Sequence, residues 1–154
     1  MSDNMEEVLF KLRLNSSWFR LPPHVKIWIN DELIEDLEVT EKKDDREDRF
    51  VEFSRRLPDG EHQLVIQYLD KEMPDTRVDE NGNILEDTLL NIDEIEIDEI
   101  ELGYLAYEKS VFYPDRTNRP DLPESMTQIK NLGYNGRWTI KFEVPTYIWF
   151  LENL

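Results

Sequence analysis

The chain has no cysteine, which excludes disulfides and thiolate-ligated zinc. Histidine is nearly as scarce, with His24 and His62 as the only two. Neither stands beside a serine or cysteine nucleophile motif, and no His-rich metal spacing exists. No apolar run approaches the roughly 20 residues of a membrane-spanning helix, and no helical period persists over ten residues. Basic residues are outnumbered, 18 Lys and Arg against 35 Asp and Glu, for a formal charge of −17. A field of that sign repels phosphate, so neither a nucleic-acid backbone nor an anionic membrane is an expected partner. The same charge suits divalent cations, a basic protein partner, or solubility alone. The stretch Met1–Glu7 is acidic and has no apolar run behind a basic start. Export by a signal peptide is therefore not expected, and assembly in the cytosol is.

The aromatic residues are plentiful. With 4 Trp, 6 Tyr, 7 Phe and a hydrophobic fraction of 39%, the chain can build a core, whereas acidic disordered chains are poor in aromatics. Its 154 residues suit a single domain spanning 1–154, since two separate cores would each be marginal.

Alternation of period two dominates, the signature of half-buried strands. Val8, Phe10, Leu12 and Leu14 share one face; Val25, Ile27 and Ile29 share another; Trp138, Ile140, Phe142 and Val144 a third. Residues 15–23 read as a connection ended by Pro22-Pro23. Asn30-Asp31 turns the second run into a strand over 33–39, and 41–49 reads as a solvated charge run. Pro58-Asp59-Gly60 is a turn signal that predicts a hairpin between 50–57 and 62–69. Asn81-Gly82 predicts a further hairpin, and the irregular spacing over 89–105 predicts two strands or a bulged one. Residues 115–128 form a long loop and 131–136 a turn. The apolar tail from Tyr147 to Leu154 is a terminal strand or one helical turn, and 145–154 is a candidate surface for packing on a partner. Short strands separated by turns make the fold class all-β, an antiparallel sandwich or jelly roll.

Three kinds of site are conceivable in such a chain. Catalysis by paired acids needs two carboxylates about 5–10 Å apart. With 35 acids such pairs arise by chance, so no enzyme is expected. Oxygen donors suited to calcium crowd the segment 70–87, which carries Asp70, Asp75, Asp79, Asn81, Asn83 and Asp87. Its Asp79–Asn83 stretch echoes an EF-hand loop but lacks the glycine position and the flanking helices, so a plain hairpin explains it better. Aromatic contact residues form the third kind. Trp28 is out of phase with Val25, Ile27 and Ile29 and should point outward, either to stack on a sugar or partner or to be covered by a loop or neighbouring chain. Trp18, in a loop, and Tyr147 and Trp149, in the tail, are the other candidates for ligand or partner binding.

Three stretches resemble the calcium-dependent, carbohydrate-binding jelly-roll modules of xylan-degrading enzymes. They are Pro23-His24-Val25-Lys26-Ile27-Trp28-Ile29-Asn30-Asp31-Glu32, Asp59-Gly60-Glu61-His62-Gln63-Leu64-Val65-Ile66-Gln67-Tyr68, and Leu89-Leu90-Asn91-Ile92-Asp93-Glu94-Ile95-Glu96-Ile97. The resemblance implies a galactose-binding-like sandwich, a glycan ligand and calcium. The family's metal-associated Asp-Arg-Asn appears here only as Asp87-Thr88-Leu89-Leu90-Asn91, so Asp70, Asp75 and Asp87 are the metal positions carried over. The chain also resembles small acidic proteins of T4-like tailed phages, notably those of cyanobacteria, in Pro22-Pro23, in the run 91–100 and in the closing residues 147–154. That likeness implies a virion accessory protein of tail, baseplate or capsid, assembled in the host cytoplasm among other virion proteins or as a homo-oligomer. The alternatives are a stand-alone calcium-dependent glycan binder and an acidic inhibitor that mimics DNA.

Overall fold

The computed structural model describes residues 4–154. In chain order its strands are β1 (Met5–Ser17), β2 (His24–Ile29), β3 (Glu32–Glu38), β4 (Arg49–Pro58), β5 (Gly60–Leu69), β6 (Arg77–Val78) and β7 (Ile84–Glu86). They continue with β8 (Leu89–Ile97), β9 (Ile100–Glu101), β10 (Val111–Pro114), β11 (Met126–Thr127), β12 (Asn131–Leu132) and β13 (Gly136–Val144). A short helix α1 (Tyr104–Lys109) precedes β10, and α2 (Thr146–Asn153) follows β13. Two antiparallel sheets face each other: β12-β8-β1-β4, with β9 on β8, and β11-β10-β13-β5-β2-β3. This is the antiparallel sandwich that the alternation predicts.

The core lies between the sheets, and the period-two faces build it. Val8, Phe10, Leu12 and Leu14 of β1 are at most 3% exposed, and Trp138, Ile140, Phe142 and Val144 of β13 likewise. Burying each such side chain stabilises the fold by about 1.5–3 kcal/mol. The hairpins β2–β3 and β6–β7 form where the Asn30 and Asn81-Gly82 signals place them, with Asn30 at φ 52° and Gly82 at φ 83°. Residues 89–101 are two strands, β8 and β9, joined through Asp98 and Glu99 in the left-handed region.

Local expectations change: β11 and β12 lie where a loop and a turn are expected, and three differences are larger. The Pro58-Asp59-Gly60 turn does not close a hairpin. β4 pairs with β1, whereas β5 pairs with β2 and β13, so the turn carries the chain from one sheet to the other. Turn chemistry dictates that the chain bends; the apolar faces decide which sheet each arm joins. Residues 15–17 are strand rather than loop, because their polar groups find partners. Asn15 bonds to Asp48, Asp93 and Asn91, and the Ser16 hydroxyl lies 2.9 Å from the carbonyl of Val39. The tail is a helix of two turns, α2, whose first residue bonds through its hydroxyl to Glu6 and Asp98. Among the described residues no helix is long and apolar enough to cross a membrane.

Candidate functional site

Because Val25, Ile27 and Ile29 fill the core, His24, Lys26 and Trp28 of β2 point outward. Register extends this outer face across the sheet. Lys26, Gln67, Arg137 and Tyr113 form one row over β2, β5, β13 and β10; Trp28, Val65, Thr139 and Val111 form the next. Val65 is fully buried although it lies outside the contiguous core. The half-buried Trp28 beside it in register covers it. The indole N–H of Trp28 donates to Oε1 of Gln67 at 3.1 Å, and the guanidinium carbon of Arg137 sits 5.5 Å from the indole centroid. The outward tryptophan is therefore covered in part by its own sheet neighbours Gln67 and Arg137. Tyr113, 46% exposed, ends the row.

The electrostatics of this face differ from those of the whole chain. None of the eight positions is acidic, against 35 acids overall. Among the described residues neither Lys26 nor Arg137 has a carboxylate at ion-pair distance. Asp36 of β3 is the register partner of Lys26, but its carboxylate is engaged by His24.

At the end of the same sheet, a cleft of about 390 Å³ is lined by Leu21, His24, Asp36, Tyr68, Asp70 and Asp75 among others. His24 bridges it: Nε2 lies 2.5 Å from Asp36 and Nδ1 lies 2.6 Å from Asp70. Both ring nitrogens donate only in the imidazolium form. Burial opposes that charge, yet the hydrogen bonds to Asp70 and Asp36 and their negative charge outweigh it, so the His24 pKa is raised. Burial pushes the Tyr68 hydroxyl upward as well, with Asp75 and Asp87 adding to it.

Asp70 and Asp75 line this cleft, with Asp87 beside it, and each is already neutralised by the chain. Asp70 holds His24. Asp75, 3% exposed, accepts from Arg20 at 2.8 Å and from the backbone N–H of Glu72. Asp87 accepts from Lys71 at 2.7 Å, from Thr76 and from the N–H of Thr88. Calcium needs six to eight converging oxygens, and no group of three or more His, Asp or Glu among the described residues is placed to hold a metal. As arranged, this donor set does not fit calcium.

A second cleft, of about 510 Å³, opens between β8 and α1. Tyr104 and Tyr107, ring centroids 5.6 Å apart, border it. Its rim acids are engaged locally, Asp93 by Asn15 and Glu94 by the N–H groups of Ile95 and Gly103. Trp138 lies on its floor, with its N–H on the carbonyl of Ile129. Neither the tyrosine pair nor Gln67 and Arg137 stood out in the sequence. The i, i+3 spacing of Tyr104 and Tyr107 was the only signal for the pair.

The remaining candidates are dispersed. Trp18 lies under the ammonium of Lys42 at 4.2 Å and donates to the carbonyl of Thr40. Trp149 is 5% exposed and packs edge-on against Phe150, so it belongs to the core rather than to a contact surface. The helical turn of the tail puts Trp149 and Phe150 inward and leaves Tyr147, Ile148 and Leu151 exposed.

No family model matches the chain, and no curated protein matches it. Solved structures do. One is described as vCBM60 in complex with galactobiose; it has a TM-score of 0.51 at 11% identity and covers 88% of this chain and 97% of its own. Another is a selenomethionine form of vCBM60, described in terms of a circular permutation linking two families of calcium-dependent carbohydrate binding modules. Its TM-score is 0.53 at 10% identity, covering 86% of this chain and 89% of its own. At such identity the likeness establishes the fold, the jelly-roll sandwich of carbohydrate-binding modules.

Proposed function

We propose that this protein is a non-catalytic glycan-binding module that seats its sugar on the outer face of the six-stranded sheet. The observation that carries this reading is the Trp28–Gln67–Arg137 array, an indole fixed at its N–H and flanked by a guanidinium. An aromatic face offers a pyranose ring a large apolar contact at low entropic cost, while amide and guanidinium donors meet its hydroxyls. The sandwich likeness to vCBM60 supports the class. None of the eight positions around Trp28 is acidic, so glycoside hydrolysis has no catalyst among them. The tyrosine-lined cleft is less suited, because its rim carboxylates are already held by the chain.

Calorimetric titration with oligosaccharides, with and without EDTA, tests the reading. Binding that survives chelation and falls about tenfold or more in Trp28→Ala, with near-UV circular dichroism confirming the fold, supports it. Failure of every glycan to bind, or binding indifferent to Trp28, overturns it.

A place on a virion is the second reading, supported by the exposed apolar row Tyr147, Ile148, Leu151 and Leu154 on and after α2. Co-purification with phage structural proteins, lost in Leu151→Glu, would support it; a particle complete without this chain would overturn it.

A further inference from the structure

Resting on the glycan-binding reading, we infer that the ligand is an anionic glycan, whose carboxylate or sulfate is held by Arg137 and Lys26 while its ring lies on Trp28. The inference comes from where the charges are. Acids outnumber bases 35 to 18, and many cations on this protein are consumed by them. Arg20, Arg49, Arg55, Lys71, Arg77, Arg116 and Arg119 each hold a carboxylate. Among the described residues Lys26 and Arg137 do not; they stand in one row, whose acid on β3, Asp36, is taken by His24. They flank Gln67 from its two neighbouring strands. Adjacent strands lie about 4.8 Å apart, so Lys26 and Arg137 are separated by roughly 10 Å at the backbone and can converge on one sugar.

The chemistry of the two side chains matches. The guanidinium fork meets a carboxylate or sulfate in bidentate fashion and lies beside an aromatic ring without losing that capacity. Half-buried neighbours Trp28 and Gln67 lower the local dielectric, which strengthens the pair relative to one in open water. The net charge of −17 acts against any anion at long range. At 0.15 M ionic strength that repulsion is screened beyond about 8 Å, whereas the two cations would touch the ligand directly.

Four tetrasaccharides test this: tetragalacturonate, its full methyl ester, a sulfated galactan and a neutral galactan, titrated at about 0.15 M salt. The expected result is that tetragalacturonate or the sulfated galactan binds about tenfold or more tightly than its uncharged counterpart. Arg137→Gln should lower affinity for the charged sugar more than for the neutral one and so abolish that preference. Preference for one anion over the other identifies the source of the charge. If the neutral and esterified sugars bind as tightly as the charged ones and still require Trp28, the anionic class is overturned while glycan binding stands. If no sugar binds, or if Trp28→Ala changes nothing, both fall.

Discussion

Trp28 and Gln67 are joined across β2 and β5 by a hydrogen bond of 3.1 Å from the indole N–H to the side-chain oxygen. The bond fixes the edge of the ring through the amide oxygen, on the strand that pairs Gln67 with Arg137 in register. Gln67→Glu keeps an acceptor for the indole but sets a carboxylate between Lys26 and Arg137. The expected outcome is unchanged stability within about 1 kcal/mol, with anionic oligosaccharides losing more affinity than neutral ones. Parallel urea denaturation and calorimetry check both halves.

His24 supplies a pH dependence whose sign follows from its bonds. Its pKa is raised in the folded state, so its contribution is complete below the unfolded value of about 6.5 and fades as pH climbs through the folded one. Facing it in the same cleft are Asp36, Glu38, Asp70, Lys71, Glu72 and Asp75. The stability gap between wild type and His24→Gln should therefore shrink as pH rises above about 6.5. Urea denaturation at several pH values measures it, and a gap that widens with pH would contradict the imidazolium bridge.

Lys71 is the most committed cation. Its ammonium reaches Asp87 at 2.7 Å, the carbonyl of Thr88 at 2.9 Å and that of Gly133 at 2.6 Å, and its side chain is only 9% exposed. Lys71→Met should cost about 3 kcal/mol, because it strands a partly buried carboxylate and two carbonyls. Adding Asp87→Leu should recover part of the loss, a coupling that a double-mutant cycle reads directly.

Chelation should do nothing to stability. With Asp70, Asp75 and Asp87 each holding a cation of the chain, EDTA is expected to leave the melting temperature within about 1 °C, and added calcium should not raise it. Calorimetric scans settle this, and a calcium-dependent rise would mean that the acids rearrange around the metal.

Gly136 is a steric requirement of the β10–β13 pair. A Cβ there would stand 2.5 Å from the carbonyl oxygen of Tyr113 and 2.8 Å from Cα of Pro114, both backbone. Gly136→Ala should destabilise by about 1–3 kcal/mol and displace Tyr113 from the outer row. At Gly133 the nearest atom is the flexible end of Leu89 at 3.3 Å, so Gly133→Ala should cost less in the same melt.

Much of the architecture could be read along the chain, because alternation is a property of neighbours in sequence. The faces of β1, β2 and β13 and the outward aim of Trp28 follow from period two alone, as do the Asn30 and Asn81-Gly82 turns from backbone preference. What surrounds Trp28 could not be read so. Gln67 and Arg137 are distant from it in sequence, and only the register of β2 on β5 and of β5 on β13 sets them beside it. Registers are chosen by how apolar faces fill one shared core, which also sent Pro58–Gly60 across the sandwich and turned Trp149 inward. The crowd of acids over 70–87 was visible at once, yet its meaning depended on Arg20, His24 and Lys71 arriving to neutralise it. The sequence by itself determined an acidic all-β sandwich with an outward tryptophan. Packing decided which side chains share that tryptophan's surface, because charge and contact act through space.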